Sequence, residues 1–110
     1  AQPDLSGRVA IVTGAGKGLG RSYALHLALA GAAVVVNNRR HAGEADADTS
    51  AARVVAEITQ AGGRAIANWS DVEAESSGAE MVAQAIDAFG RVDIIIANAA
   101  PDNIVSIITI

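Results

Sequence analysis

The stretch Thr13-Gly14-Ala15-Gly16-Lys17-Gly18-Leu19-Gly20 decides the fold of this chain. It stands between an apolar run, Val9-Ala10-Ile11-Val12, and a helical run that begins near Leu19. A glycine-rich turn between a strand and a helix N-terminus suits an anion. Its backbone N–H groups point at the charge, the helix dipole favours it, and missing side chains let a pyrophosphate approach. The spacing narrows the reading. Gly14, Gly16, Gly18 and Gly20 do not satisfy G-x-G-x-x-G, because Leu19 or Arg21 falls where the third glycine would stand. The nucleoside-triphosphatase loop is excluded as well, since Lys17 is followed by Gly18 rather than by Ser or Thr. The pattern that fits is Thr-Gly-x-x-x-Gly-x-Gly.

Outward from this loop, strand and helix signals alternate, which predicts βαβ units and a parallel sheet. Strand one covers Arg8 to Thr13, and the first helix runs from about Leu19 to Ala30 with Gly31 to stop it. The continuous apolar run Ala33-Val34-Val35-Val36-Asn37 reads as a strand buried on both faces. A polar loop, Asn38 to Asp48, precedes a cap at Thr49-Ser50. Ala51, Val54, Val55 and Ile58 then repeat at helical spacing, and Gly62-Gly63 closes that helix. Strand three is Arg64 to Asn68. Helix three is expected to bury Val82, Ala85, Ile86 and Phe89 and to stop at Gly90, and strand four is Val92 to Ala97. The segment Ile104 to Ile110 also reads as a strand, yet too few residues separate it from strand four for a parallel crossover, which needs about a dozen or more. It must fold back as a hairpin, lie across another element, or add to a partner's sheet. Residues 1–100 are therefore expected to form one nucleotide-binding domain, with residues 101–110 an atypical β-rich tail.

Composition sets the outer limits. Apolar residues make up 51% and aromatics 3%, so the core is aliphatic and alanine-rich, which suits helices packed closely on a sheet. A net charge of −4 argues against nucleic acid or an anionic membrane as the main partner. No apolar run approaches the roughly 20 residues of a membrane helix. The absence of cysteine excludes disulfides and thiolate metal sites and agrees with a cytoplasmic location.

Three features in order carry a resemblance to the short-chain dehydrogenase/reductase family: Leu5-Ser-Gly7-Arg-Val-Ala-Ile-Val-Thr13-Gly14 with the glycines that follow, Asp71-Val72 after strand three, and Asn98-Ala99 after strand four. The resemblance spans roughly residues 5 to 100 and implies a three-layer half-Rossmann domain with strand order 3-2-1-4. It also implies that Gly14, Gly16, Lys17, Gly18, Leu19 and Gly20 wrap a cofactor pyrophosphate. The Asp71 carboxylate would meet the adenine amino group and Val72 would pack on the ring, although Asp71 also suits a helix N-cap. Asn98 and Ala99 would support the sheet beside the adenosine. The sequence departs from the family's Asn-Asn-Ala-Gly segment at Ala97 and Ala100.

The end of strand two chooses between cofactors, because a carboxylate there favours NAD and basic residues accommodate the phosphate of NADP. This chain has Asn37-Asn38-Arg39-Arg40 and no carboxylate until Glu44. Arg39 with Lys17 therefore points to NADP with NAD as second choice, and Arg40 reads as a solvated loop charge. Tyr23, His26 and Arg21 read as packing or solvated residues of the first helix. His41 with Glu44, Asp46 and Asp48 reads as a solvated loop rather than a metal site, and Trp69 as a core or surface aromatic.

Family chemistry further implies a Tyr-x-x-x-Lys pair, a serine and an asparagine. Here the only tyrosine is Tyr23 and the only lysine is Lys17, so no such pair occurs in these 110 residues. The expectation is a truncated family member. Its parent would reduce a carbonyl or oxidise a secondary alcohol, with a hydroxyacyl thioester as one such substrate. The competing reading is a non-catalytic nucleotide-binding module that self-associates through the terminal strand.

Overall fold

A computed structural model of the chain describes residues 4–72, 74, 76–98 and 106–109. Strands β1 (Val9–Val12), β2 (Ala33–Asn37), β3 (Arg64–Asn68) and β4 (Ile94–Ala97) form a parallel sheet in the order 3-2-1-4. Helices α1 (Gly18–Leu29), α2 (Ser50–Gln60) and α3 (Ser77–Phe89) lie on its two faces. The expected half-Rossmann architecture is therefore present.

The alternation along β2 shows why that strand is apolar at every position. Val34 and Val36 point into one cluster, where they meet Ala24 of α1 and Ala51, Val54 and Ile58 of α2. Ala33 and Val35 point the other way, into a cluster with Met81 and Ala85 of α3. A strand covered on both sides needs side chains that lose nothing by leaving water, and β2 has them until Asn37.

The helix ends follow local chemistry. Thr49 caps α2, its hydroxyl accepting the Ala52 N–H at 3.2 Å. Gly90 ends α3 in the left-handed region, with φ of 87°. Two expectations need correction here. Asp71 is not the cap of α3, whose N-cap is Ser76, because a turn at Asp71 to Ala74 intervenes. The buried stripe of α3 is also turned from the expected one. Ser77, Met81 and Ala85 are buried, Val82 and Phe89 pack at the margin, and Ile86 is 51% exposed. Met81 and Ala85 are four apart and sit over β1 and β2, so the helix face is set by the sheet beneath it and not by its bulkiest residues.

A fifth strand, β5 (Ser106–Thr109), pairs antiparallel with β4, Ile95 opposite Ile108 and Ile96 opposite Ile107. Of the routes open to the tail, antiparallel pairing with β4 is the one taken, in keeping with a connection too short for a parallel crossover. Among the described residues, no helix is long and apolar enough to cross a membrane.

Candidate functional site

Parallel strands place all their C-terminal ends on one side, and the connections after β1, β2 and β3 meet there. They enclose a cavity of about 270 Å3 lined by Gly14 and Lys17 of the first connection, Asn37, Asn38, Arg39 and His41 of the second, and Ser70, Asp71 and Val72 of the third. Whole-ligand clefts measure roughly 300–1,000 Å3, so this volume suits one end of a dinucleotide.

The glycine loop is held from below and behind. Gly14 takes φ of 61°, and its carbonyl accepts the Asn98 side-chain amide at 3.3 Å. The Asn98 backbone N–H in turn donates to the Thr13 hydroxyl at 2.9 Å, which ties the end of β4 to the loop. Ala15, fully buried, donates its N–H to the Asn37 carbonyl at 2.7 Å. The Gly16 N–H reaches the Asn38 side-chain oxygen at 3.3 Å, so the end of β2 braces the loop as well.

Two of the glycines are demanded by close packing. A Cβ on Gly20 would lie 2.1 Å from the Gly14 carbonyl oxygen, and one on Gly16 would lie 2.2 Å from the Ser50 hydroxyl. Gly18 differs. It has φ of 58°, and nothing stands within 4 Å of where its Cβ would be. The N-cap residue of α1, Lys17, makes no side-chain hydrogen bond to the first turn, and no acidic residue stands in that turn. An open backbone cradle at an uncapped helix N-terminus fits a pyrophosphate by its donors and by its dipole.

Beneath the cavity lies a polar network that sequence reading did not identify. Asn37 donates to Asn68 at 2.8 Å and to the Ser70 carbonyl at 3.0 Å. Asn68 accepts the Ser70 N–H at 3.0 Å and donates to Gln84 of α3 at 2.7 Å, while Gln84 donates to the Ala67 carbonyl at 3.0 Å. Asn37 and Asn68 are register partners at the last position of β2 and β3. Two amides ending adjacent apolar strands were the available signal.

The charges around the cavity divide unequally. Lys17 and Arg39 both line it, and Arg39 Nη1 lies 3.8 Å from Asp71 Oδ2. Arg40 faces elsewhere. It stacks on the Trp69 ring, 4.4 Å from the centroid, and pairs with Asp46 at 2.6 Å. It is an anchor of its loop and not a solvated charge. Trp69 donates its indole N–H to Thr49 at 2.8 Å and packs on the core without lining the cavity. His41 does line the cavity, in a turn closed by its N–H to the Glu44 carboxylate at 2.8 Å. Among the described residues, no cluster of three metal-ligating side chains occurs.

The expected site residues thus fall into groups. Gly14, Lys17, Asn38, Arg39, Asp71 and Val72 converge on one cavity. Gly16, Gly18, Leu19, Gly20 and Asn98 build or brace the loop beside it, with Leu19 63% exposed. Ala99 lies outside the described residues.

Comparison with known proteins agrees with this geometry. The profile of the short chain dehydrogenase family matches residues 8–108, and the chain belongs to that family. It is similar to peroxisomal multifunctional enzyme type 2 of Drosophila melanogaster, 52% identical over 95 residues, which are 84% of this chain and 15% of that protein. It is also similar to a putative short-chain type dehydrogenase/reductase of Mycobacterium tuberculosis, 48% identical over 99 residues, 88% of this chain and 35% of that one. Among solved structures, a short chain dehydrogenase from Mycobacterium avium superposes with a TM-score of 0.82 at 42% identity, over 87% of this chain and 35% of the other. A 7α-hydroxysteroid dehydrogenase complexed with NADH and 7-oxo glycochenodeoxycholic acid superposes at 0.73 with 41% identity, over 84% and 33%. The chain thus spans only about a sixth to a third of the length of these proteins. The family is one of oxidoreductases that use NAD(P) dinucleotides.

Proposed function

We propose that these residues bind NADP(H) as the cofactor-holding part of a short-chain dehydrogenase/reductase that reduces a carbonyl or oxidises a secondary alcohol. The observation that carries the cofactor choice is the convergence of Lys17 and Arg39 on one cavity at the end of β2, where amides, Asn37 and Asn38, stand instead of a carboxylate. A phosphate monoester gains from a planar guanidinium and an ammonium together, and a ribose hydroxyl does not. The loop from Gly14 to Gly20 wraps the pyrophosphate at the N-terminus of α1. Asp71 and Val72 meet the adenine, and Asn98 keeps the loop in register with β4.

When bound, the nicotinamide gives or takes the hydride. That step needs a proton donor at the substrate oxygen. Tyr23 does not serve, being packed against the core from α1, and Lys17 is committed to the cofactor. The acid/base of the reaction is therefore assigned to residues other than these 110. Of the relatives named above, one is called peroxisomal and one a hydroxysteroid dehydrogenase while the other two are named only as short-chain dehydrogenases, and the substrate of this protein is left as a carbonyl–alcohol pair. A cytoplasmic location is compatible with the cysteine-free composition, and peroxisomal relatives make fractionation of cells carrying the tagged protein the deciding measurement.

Calorimetric titration with NADPH and NADH tests the cofactor assignment. NADPH is expected to bind more tightly, and Arg39→Ala to weaken NADPH by about tenfold or more while leaving NADH nearly unchanged. Tighter binding of NADH by the unaltered protein would overturn the assignment.

A second reading has its own observation. The edge strand β5 exposes Ile107 by 66% and Ile108 by 51%, and its described residues Ser106–Thr109 carry no charge or proline. Such an edge invites pairing with a second copy of the chain. Size exclusion separates the two readings, since Ile107→Lys would return a self-associated form to monomer and leave NADPH binding in place.

A further inference from the structure

The long ion pair at the cavity sets a question that the family fold does not answer. Arg39 Nη1 and Asp71 Oδ2 stand 3.8 Å apart, the longest of the described ion pairs, whereas Arg91–Asp93 closes to 2.7 Å and Arg40–Asp46 to 2.6 Å. A charge-assisted hydrogen bond measures about 2.7–2.9 Å, so Arg39 feels the charge of Asp71 without being tied to it. The backbone on the Asp71 side of the pair is held in place. Asp71 follows Ser70, whose N–H and carbonyl are both held by the buried pair Asn68 and Asn37, while Arg39 extends from the connection after β2. The network fixes the backbone under the carboxylate and keeps it near the guanidinium. Among the described residues, Lys17, Arg39 and His41 are the other ionisable groups on the cavity wall, and Asp71 is the acidic one.

We propose that Asp71 is a specificity-tuning counter-ion of Arg39: its carboxylate competes with the cofactor's 2′-phosphate for the guanidinium, and so sets how strongly the cavity prefers a phosphorylated adenosine. The inference rests on the assignment of Arg39 to that phosphate. A doubly charged phosphate monoester outcompetes a single carboxylate held at 3.8 Å, and a neutral ribose hydroxyl has no reason to. Asp71 thereby lowers affinity for NADPH and leaves affinity for NADH untouched through this route. A contact from Asp71 to the adenine amino group is common to both cofactors and cancels in their ratio. The ratio therefore isolates the effect of the carboxylate on Arg39.

The test is the NADPH:NADH affinity ratio, measured by calorimetry on the unaltered chain, Asp71→Asn, Arg39→Ala and the double variant. Asp71→Asn is expected to raise the ratio about three- to tenfold at low salt, as removal of one opposite charge several ångströms from the guanidinium predicts. Since Arg39 and Asp71 side chains are 67% and 44% exposed, the rise should shrink in about 1 M KCl. In the Arg39→Ala background the same substitution should raise it clearly less, because the competition for Arg39 is gone. Asp71→Glu keeps the charge, and a raised ratio there would overturn the proposal. So would an unchanged ratio in Asp71→Asn, or an equal rise with and without Arg39. If Arg39→Ala leaves the ratio as it was, the assignment of Arg39 to the phosphate falls and the proposal falls with it. An intact Arg39 effect with a silent Asp71→Asn sinks the tuning role alone. Failure of the unaltered chain to bind either cofactor overturns both.

Discussion

The two ends of the sheet carry similar residues and use them in opposite ways. At the N-terminal end of the strands, Asp93 is 5% exposed, and its carboxylate takes the Val9 N–H at 2.8 Å, Arg91 at 2.7 and 3.1 Å and Arg8 at 3.4 Å. At the C-terminal end, Asp71, Arg39 and Lys17 line a cavity, and Arg39 stands 3.8 Å from Asp71. The first cluster is complete within the chain and locks β1 to β4. The second presents charge toward space that a ligand can fill. Acid and guanidinium in a sequence therefore do not reveal a site. What distinguishes one is whether the surrounding backbone lets the partners close.

The largest effect that would break this comparison is expected at the open end. Gly20→Ala drives a Cβ to 2.1 Å from the Gly14 carbonyl, a backbone atom that cannot rotate away. A loss of about 3 kcal/mol or more in stability and of cofactor binding should follow, read by urea denaturation and calorimetry. Gly16→Ala meets the Ser50 and Asn38 side chains instead, so it should cost less.

Next comes the buried floor of the cavity. Asn37→Leu removes the donor to Asn68 and Ser70 while those acceptors stay covered. It should destabilise by about 2 kcal/mol in the same denaturation experiment.

The closed end yields the pH-dependent prediction. Hydrogen bonding from Arg91 holds the Asp93 carboxyl below its ordinary range, against the raising effect of burial and with help from the Val9 N–H and Arg8. A depressed folded value means that the ionised form stabilises the fold at neutral pH and that this contribution is lost as pH falls below about 4. Asp93→Asn should therefore lower Tm at pH 7, and the gap to the unaltered protein should narrow as pH falls toward about 3. A gap that stays constant over that range would show that the carboxylate charge is not what holds β1 to β4.

Much of this was legible along the chain. The continuous apolar run of β2 reproduced the observed Ala33–Asn37, because a parallel strand covered on both faces leaves a contiguous signal, and the expected bounds of β3 match the observed Arg64–Asn68. The glycine loop, Arg39 and Asp71 were placed on the right connections for the same reason: each follows the end of a strand. The stripe of α3 was misread at Ile86, since a bulky side chain on a helix says nothing about which sheet residue lies beneath it. Arg40 was misread because a stacking partner, Trp69, lies far along the chain. The amides Asn37, Asn68 and Gln84 were passed over, each ordinary alone and informative only once β2, β3 and α3 bring them together.

By itself, the sequence determined the order of elements, the family and the position of the glycine loop. Those depend on local backbone needs: periodicity, caps, and glycine where a side chain would not fit. Only the tertiary structure decided that Lys17, Arg39 and Asp71 share one cavity, that Arg40 does not, and that the tail returns as β5. Those facts depend on distances between segments remote along the chain. Such distances are set by strand register and the close packing of helices on the sheet.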